Sequence, residues 1–196
     1  EPPDLILCTH FLPAEIVSWL KAKERLRCPQ AIIVTDFDVH AMWLCHHYEH
    51  YFVTIEEAKV HLEQLGIPTE KITVSGIPID PVFSQEKDKR QMRLTHGLDP
   101  EKPTILLSAG GWGHGPLEAM LANLTKLRHP AQVVAICGRN EELKQRLDRI
   151  AAGVPAGSLV VLLPIGFTME MDEYMSAADI LLGATGGLTV SEALAK

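Results

Sequence analysis

Val133-Val134-Ala135-Ile136-Cys137-Gly138-Arg139-Asn140 is the stretch on which the fold turns. Five apolar residues follow one another with no polar alternation. Such a run suits a strand apolar on both faces, the pattern of a parallel sheet covered on each side. Gly138 breaks the run, Arg139 and Asn140 are polar, and Asn140–Ala152 has helical spacing. Ala31-Ile32-Ile33-Val34 repeats the same theme near the other end of the chain.

Working outward, strand-length apolar runs alternate with helical patterns throughout. Strands are expected at Leu5–Thr9, Ala31–Thr35, His50–Thr54, Ile72–Ser75, Thr104–Ser108, Gln132–Cys137, Leu159–Leu163 and Ile180–Gly183. Helices are expected at Pro13–Lys23, Ile55–Leu65, Lys87–His96, Pro116–Lys126, Asn140–Ala152 and Asp172–Ala178. Pro13 suits a helix start, and Gly66 and Gly97 suit helix ends. Strand–helix alternation implies right-handed crossovers and a doubly wound α/β architecture. The proline-rich run Pro78–Phe83 and the charged run Glu86–Arg90 mark a boundary, giving expected domains 1–85 and 86–196. The chain opens on Glu1-Pro2-Pro3 and closes in a helical pattern, so both domains are read as incomplete.

Composition narrows the function. The 196 residues are 46% hydrophobic and 22% charged, as in an ordinary globular protein, with a net charge of −7. Residues 1–85 hold 6 Lys+Arg against 12 Asp+Glu, and residues 86–196 hold 12 against 13. Neither part presents the basic surface that nucleic acid requires. The cluster Lys21, Lys23, Arg25 and Arg27 is read as the solvated face of a helix. No apolar run is long enough to span a bilayer. Cys8, Cys28, Cys45 and Cys137 have irregular spacing and no C-x-x-C, which points to free thiols in a reducing compartment.

Four strand-to-helix junctions in the second half carry the candidate chemistry. Ser108-Ala109-Gly110-Gly111-Trp112-Gly113-His114-Gly115 has four glycines in six residues, more than a tight turn needs. Its spacing is neither the dinucleotide fingerprint nor a P-loop. Glycines before a helix N-terminus let backbone N–H groups approach a phosphate. Gly183-Ala184-Thr185-Gly186-Gly187-Leu188-Thr189-Val190-Ser191-Glu192 makes a second such junction. There Thr189 can cap the helix. Glu192 either closes a capping box or accepts hydrogen bonds from a vicinal diol such as ribose, and the local pattern does not choose. Cys137-Gly138-Arg139-Asn140 and Pro164-Ile165-Gly166-Phe167-Thr168 complete the set on the strand edge where ligands of open α/β sheets collect. In the first half, Asp36, Asp38 and His40 with Cys45, His46, His47 and His50 are dense in ligand-capable groups. They lack the paired spacing of a zinc site, so no metal is assigned and His40 is read as a polar lining residue.

These motifs resemble glycosyltransferase family 28. Gly186–Glu192 is similar to the donor loop of the lipid II N-acetylglucosaminyltransferase. Thr35–Trp43, Tyr51-Phe52-Val53, Glu56-Glu57 and Val74-Ser75-Gly76-Ile77-Pro78-Ile79 resemble the branch of monogalactosyldiacylglycerol synthases and diacylglycerol glucosyltransferases. The resemblance implies a GT-B fold, two Rossmann-like domains with the active site between them. It implies that Gly187, Leu188 and Thr189 approach a diphosphate and that Glu192 holds the ribose. It places Gly166 and Phe167 at uracil, Gly110 and Gly111 at the phosphates and donor sugar, Arg139 in the nucleotide pocket and His40 near the cleft. That branch usually carries Lys-Pro where Ala184-Thr185 stands, and the Gly-rich loop with a histidine that would hold the base is not in this sequence, so no catalytic residue is assigned.

The activity so implied is transfer of a hexose from a UDP-sugar to a lipid hydroxyl, diacylglycerol first. The UDP-sugar is a co-substrate and no further cofactor is implied. A lipid-linked muropeptide or small aglycone as acceptor, and a non-catalytic nucleotide-sugar-binding module, are the alternatives. The implied location is cytoplasmic, with peripheral attachment to the inner face of a membrane and no transmembrane segment.

Overall fold

A computed structural model describes residues 3–108, 117–183 and 186–196. The chain divides into two compact units, Glu1–Ile79 and Asp80–Lys196.

The first unit holds a four-stranded sheet in sequence order, every neighbour parallel. Its strands are β1 (Ile6–Cys8), β2 (Gln30–Ile33), β3 (His50–Val53) and β4 (Ile72–Val74). Helices α1 (Phe11–Ala22) and α2 (Glu56–Gln64) cross between them. Parallel neighbours need such crossovers. α1 begins two residues before Pro13, because His10 Nδ1 accepts a hydrogen bond from the Leu12 N–H at 3.1 Å and caps the helix. Glu56 and Glu57 in the first turn of α2 complement its positive end. The core gathers Ile32, Val34, Trp43, Tyr51 and Leu62, all essentially excluded from solvent.

α1 ends at Ala22, earlier than a helical face reaching Arg27 requires. Lys23 closes it, Glu24 takes a left-handed conformation with φ of 53°, and the Arg25 N–H bonds back to the Leu20 carbonyl. That is the geometry of a Schellman stop. The basic cluster is therefore not one solvated face. Lys21 pairs with Glu49 at 2.7 Å, while Arg25 and Arg27 lie beyond the helix.

The second unit holds a parallel sheet in the order β7-β6-β5-β8. The strands are β5 (Thr104–Ser108), β6 (Ala131–Ile136), β7 (Val160–Ile165) and β8 (Ile180–Gly183). β5 and β6 are buried along their whole length, as their unbroken apolar runs require. β7 lies at the edge and alternates at its start, with Val160 and Leu162 buried and Val161 exposed. Helices α3 (Lys89–Thr95), α4 (Leu117–Leu124), α5 (Glu141–Ala152), α6 (Met171–Ala177) and α7 (Gly187–Leu194) complete the unit. Asn140 caps α5 through its side chain, accepting from the Leu143 N–H at 2.9 Å. Leu107, Leu121, Val133, Ala135 and Leu147 centre the core.

α3 is tied to the sheet by charge. Arg93 is buried, donating to the Ala177 carbonyl at 2.9 Å and to Asp179 at 2.6 Å. Asp179 also accepts from Lys89 at 2.9 Å and from the Thr104 N–H at 2.8 Å. Burial pushes the Asp179 carboxyl up, but these donors outweigh it and hold the group below its ordinary range.

Candidate nucleotide site

Every strand of the second sheet points the same way, so the junctions after β5, β6, β7 and β8 share one edge. β6 and β7 lie on one side of β5, and β8 lies on the other. The connection therefore reverses direction beside β5, the place where open α/β sheets form a crevice. Ser108 and Gly183 are register partners there. A Cβ on Gly183 would come within 2.6 Å of the Ser108 carbonyl oxygen, so this close approach needs glycine.

A cavity of about 290 Å³ opens at this edge. Phe167, Leu188, Thr189 and Glu192 line it, as do Ser108 and Gly138 at the strand ends. Arg139 stands beside this group, its guanidinium 4.8 Å from the centre of the Phe167 ring, within cation–π range. Gly138 has φ of 60°, the left-handed turn that separates the end of β6 from the cap of α5. Gly166 directly precedes Phe167, and nothing lies within 4 Å of where its Cβ would be.

α7 supplies the polar end of the cavity. Gly186 is its N-cap, and the first backbone bond of the helix runs from the Val190 N–H to the Gly186 carbonyl. Gly187, Leu188 and Thr189 thus form the first turn, where N–H groups have no partner within the helix and the dipole is positive. Two readings of this loop change. Thr189 is not the cap but the third helical residue. Glu192 lies in the second turn, beyond the reach a capping box needs, so that reading does not hold.

Glu192 is half-buried, and no described side chain bonds to it. Burial alone raises its carboxyl above the ordinary range. An unpaired carboxylate lining a cavity beside a helix N-terminus can take hydroxyl donors while the helix end takes an anion.

Phe83 and Met171 also line the cavity, and neither is apparent from sequence. Phe83 sits in a short 3-10 turn, Pro81–Ser84, capped by Asp80 accepting from the Val82 N–H at 2.9 Å. A lone aromatic in a proline-rich stretch has no periodicity to mark it. Gly110 and Gly111 lie outside the described residues. A larger cavity of about 550 Å³, between the Ser84–Lys89 stretch and the end of α7, holds none of the expected site residues.

His40 belongs to the first unit, at the end of a loop after β2. Its Nε2 is 3.5 Å from the Asp36 carboxylate, which also accepts the buried Trp43 indole N–H at 2.8 Å. The rings of His40, Phe11 and Trp43 cluster within 6.2 Å of one another, centre to centre. All four cysteines are free and buried, and burial pushes the Cys45 thiol up to about 12 and Cys137 to about 11. His96, Glu170 and Glu173 form the one group among the described residues with metal-ligand proximity. The Lys87 ammonium already pairs with Glu173 at 2.9 Å.

Residues 1–79 match the family model described as monogalactosyldiacylglycerol (MGDG) synthase. The whole chain aligns with processive diacylglycerol beta-glucosyltransferases of Staphylococcus carnosus, at 34% identity, and Staphylococcus epidermidis, at 35%. It spans about half the length of these relatives, 49% in each case. In fold it is similar to Anabaena HepE crystallised with UDP and glucose, with a TM-score of 0.58 and 16% identity over 98% of this chain and 56% of that one. It is also similar to MurG of Acinetobacter baumannii, with a TM-score of 0.50 and 15% identity over 98% of this chain and 76% of that one. With its two parallel α/β sheets, the chain has the fold of the GT-B glycosyltransferases, and in sequence it is similar to the monogalactosyldiacylglycerol synthases and diacylglycerol glucosyltransferases.

Proposed function

We propose that the second unit holds the UDP moiety of a UDP-sugar, and that the protein transfers the hexose to a lipid hydroxyl, diacylglycerol in the first instance. The observation that carries this reading is the pairing of the α7 N-terminus with the unpartnered Glu192 in one cavity. The diphosphate sits against the N–H groups of Gly187, Leu188 and Thr189. Glu192 accepts the two ribose hydroxyls. Phe167, braced by Arg139, forms a wall for the uracil, with Gly166 leaving its backbone open to the base. Gly110 and Gly111, outside the described residues, are assigned to the phosphates and the sugar by the family resemblance alone. The names of the full-length relatives support diacylglycerol as acceptor.

In the reaction the acceptor hydroxyl loses its proton to a base, and its oxygen bonds to the anomeric carbon. The bond from that carbon to the diphosphate oxygen breaks, and UDP leaves. The negative charge growing on the leaving group meets the positive end of α7, a preorganised electrostatic role. That end of the helix takes the part a divalent cation would otherwise play, and no cofactor besides the donor enters the scheme. The first unit serves the acceptor, with His40 a polar group on that side, and the protein works at the inner face of a membrane.

Calorimetry with UDP tests the donor site. Glu192→Ala is expected to weaken UDP about 10–100-fold, the loss of hydrogen bonds to a charged group. Equal affinity in the two proteins would remove Glu192 from the ribose. Transfer of radiolabelled sugar from a UDP-sugar to diacylglycerol tests the acceptor, and turnover without diacylglycerol would point elsewhere.

A further inference from the structure

One wall of the cavity beside α7 comes from outside the four strand-to-helix junctions. Phe83, on the short turn Pro81–Ser84, lines it together with Phe167, Met171 and Leu188. Phe167 and Leu188 are about half exposed, whereas Phe83 is only 8% exposed. Its ring is therefore packed in place before any ligand arrives, and it loses little rotamer freedom on meeting one.

Charge fixes the segment that carries this ring. The Lys196 ammonium, just beyond α7, donates to the Gln85 carbonyl at 2.6 Å and to the Val82 carbonyl at 3.4 Å. The Lys87 ammonium pairs with Asp172 at 2.6 Å and with Glu173 at 2.9 Å. Those two carboxylates directly follow Met171, the first residue of α6, and Asp172 is buried. The stretch 82–87 is thus tied to the start of α6 and to the end of α7, the two helices that supply Met171, Leu188, Thr189 and Glu192 to the cavity. Phe83 is held in a fixed relation to those residues.

The chemistry of a nucleotide says what such a wall meets. A nucleoside diphosphate is polar along its ribose and phosphates, and only the faces of its base are apolar. The first turn of α7 and Glu192 make the polar side of the cavity, and Phe83, Phe167 and Met171 make the apolar one. An aromatic ring against a base face contributes stacking, which by itself accepts any base. A ring that cannot move adds a limit of size. A pyrimidine has one ring to accommodate and a purine has two.

We infer that Phe83 is a specificity-determining residue of the donor site: its fixed ring is the wall on which the pyrimidine of the nucleotide rests, and it occupies the space that the second ring of a purine requires. The inference rests on the donor-site reading above and adds to it a residue that none of the junctions supplies.

Titration calorimetry of the 196-residue chain with UDP, UMP and GDP tests it, GDP being read by displacement of UDP. Phe83→Ala removes the ring and its volume, while Phe83→Leu removes the ring and keeps most of the packing. Phe83→Ala is expected to bind UDP about tenfold more weakly, and UMP by the same factor, since the contact is with the base. Phe83→Leu should show the same pattern to a smaller degree, and it carries the comparison if Phe83→Ala does not fold. The ratio of UDP to GDP affinity should fall at least about tenfold in Phe83→Ala, because the vacated space no longer turns the purine away. A residue that only supports the fold would lower the melting temperature and weaken every nucleotide alike. An unchanged ratio therefore overturns the proposal, as does wild-type UDP affinity in both variants. Loss of UDP with UMP unaffected would put the ring at the diphosphate and overturn it too. A wild type that binds no UDP brings down the donor-site reading itself, whereas wild-type binding with unaltered variants removes Phe83 alone.

Discussion

Glu192 carries a stability cost that the proposed ribose contact explains. Its carboxylate is half-buried without a described partner, and its folded-state carboxyl is raised by desolvation. A carboxyl raised on folding binds its proton more tightly in the native state than in the unfolded chain. Stability is then greatest below the unfolded value, near 4.3, and falls as pH rises through the raised one. Glu192→Gln should therefore raise the melting temperature at neutral pH, with the gain shrinking as pH falls toward 4. The same substitution should weaken UDP. Scanning calorimetry across that pH range reads the first effect and titration calorimetry the second. A variant less stable at neutral pH would contradict an unpaired carboxylate. From sequence Glu192 stood open between helix cap and diol acceptor. The position of Gly186 as N-cap excludes the helix cap, because it sets Glu192 a turn too far along, and the diol contact stands as the proposal.

At the scale of elements, α3 is tied to the sheet through Arg93 and Asp179. The Asp179 carboxyl is depressed, so its contribution is present above the unfolded value, near 3.9, and is lost as pH falls through the lower folded one. Asp179→Asn should cost about 2 kcal/mol at neutral pH, reduced from the fully buried case because the carboxylate is partly exposed. The deficit against wild type should close in acid, and urea unfolding at pH 7 and pH 3 checks both. Strand positions were legible to within a few residues, because unbroken apolar runs such as Val133–Cys137 admit little else. Helix ends fell as close to expectation, though what sets them was hidden. A histidine cap started α1 early, and Glu24, whose side chain gives no hint of a left-handed turn, helped stop it before Arg25. The larger miss was an outer apolar stripe of α1, exposed to solvent. Leu12, Ile16 and Trp19 satisfy helical spacing as well as the inner residues do, and spacing alone does not say which face meets the core.

For the molecule as a whole, two units with separate cores predict selective stabilisation. UDP at about 100 times its dissociation constant should stabilise the second unit by about 2.7 kcal/mol, with no equivalent gain in the first. Hydrogen exchange with and without UDP tests this, and protection should rise in β5, β6 and α7. Equal protection in β2 and β3 would show that the units do not behave independently or that UDP binds elsewhere.

The sequence by itself determined the class of fold. Apolar runs too short for helices and too continuous for one-faced strands leave a covered parallel sheet as the structure that buries them. It also determined that the strand-to-helix junctions share one edge, since parallel strands bring like ends together. Only the tertiary structure decided which residues share a cavity. The order β7-β6-β5-β8 places the crevice beside β5, and α7 brings Leu188, Thr189 and the Glu192 carboxylate to it. Phe83 and Met171 join that cavity through packing between segments distant in sequence, which no local pattern encodes.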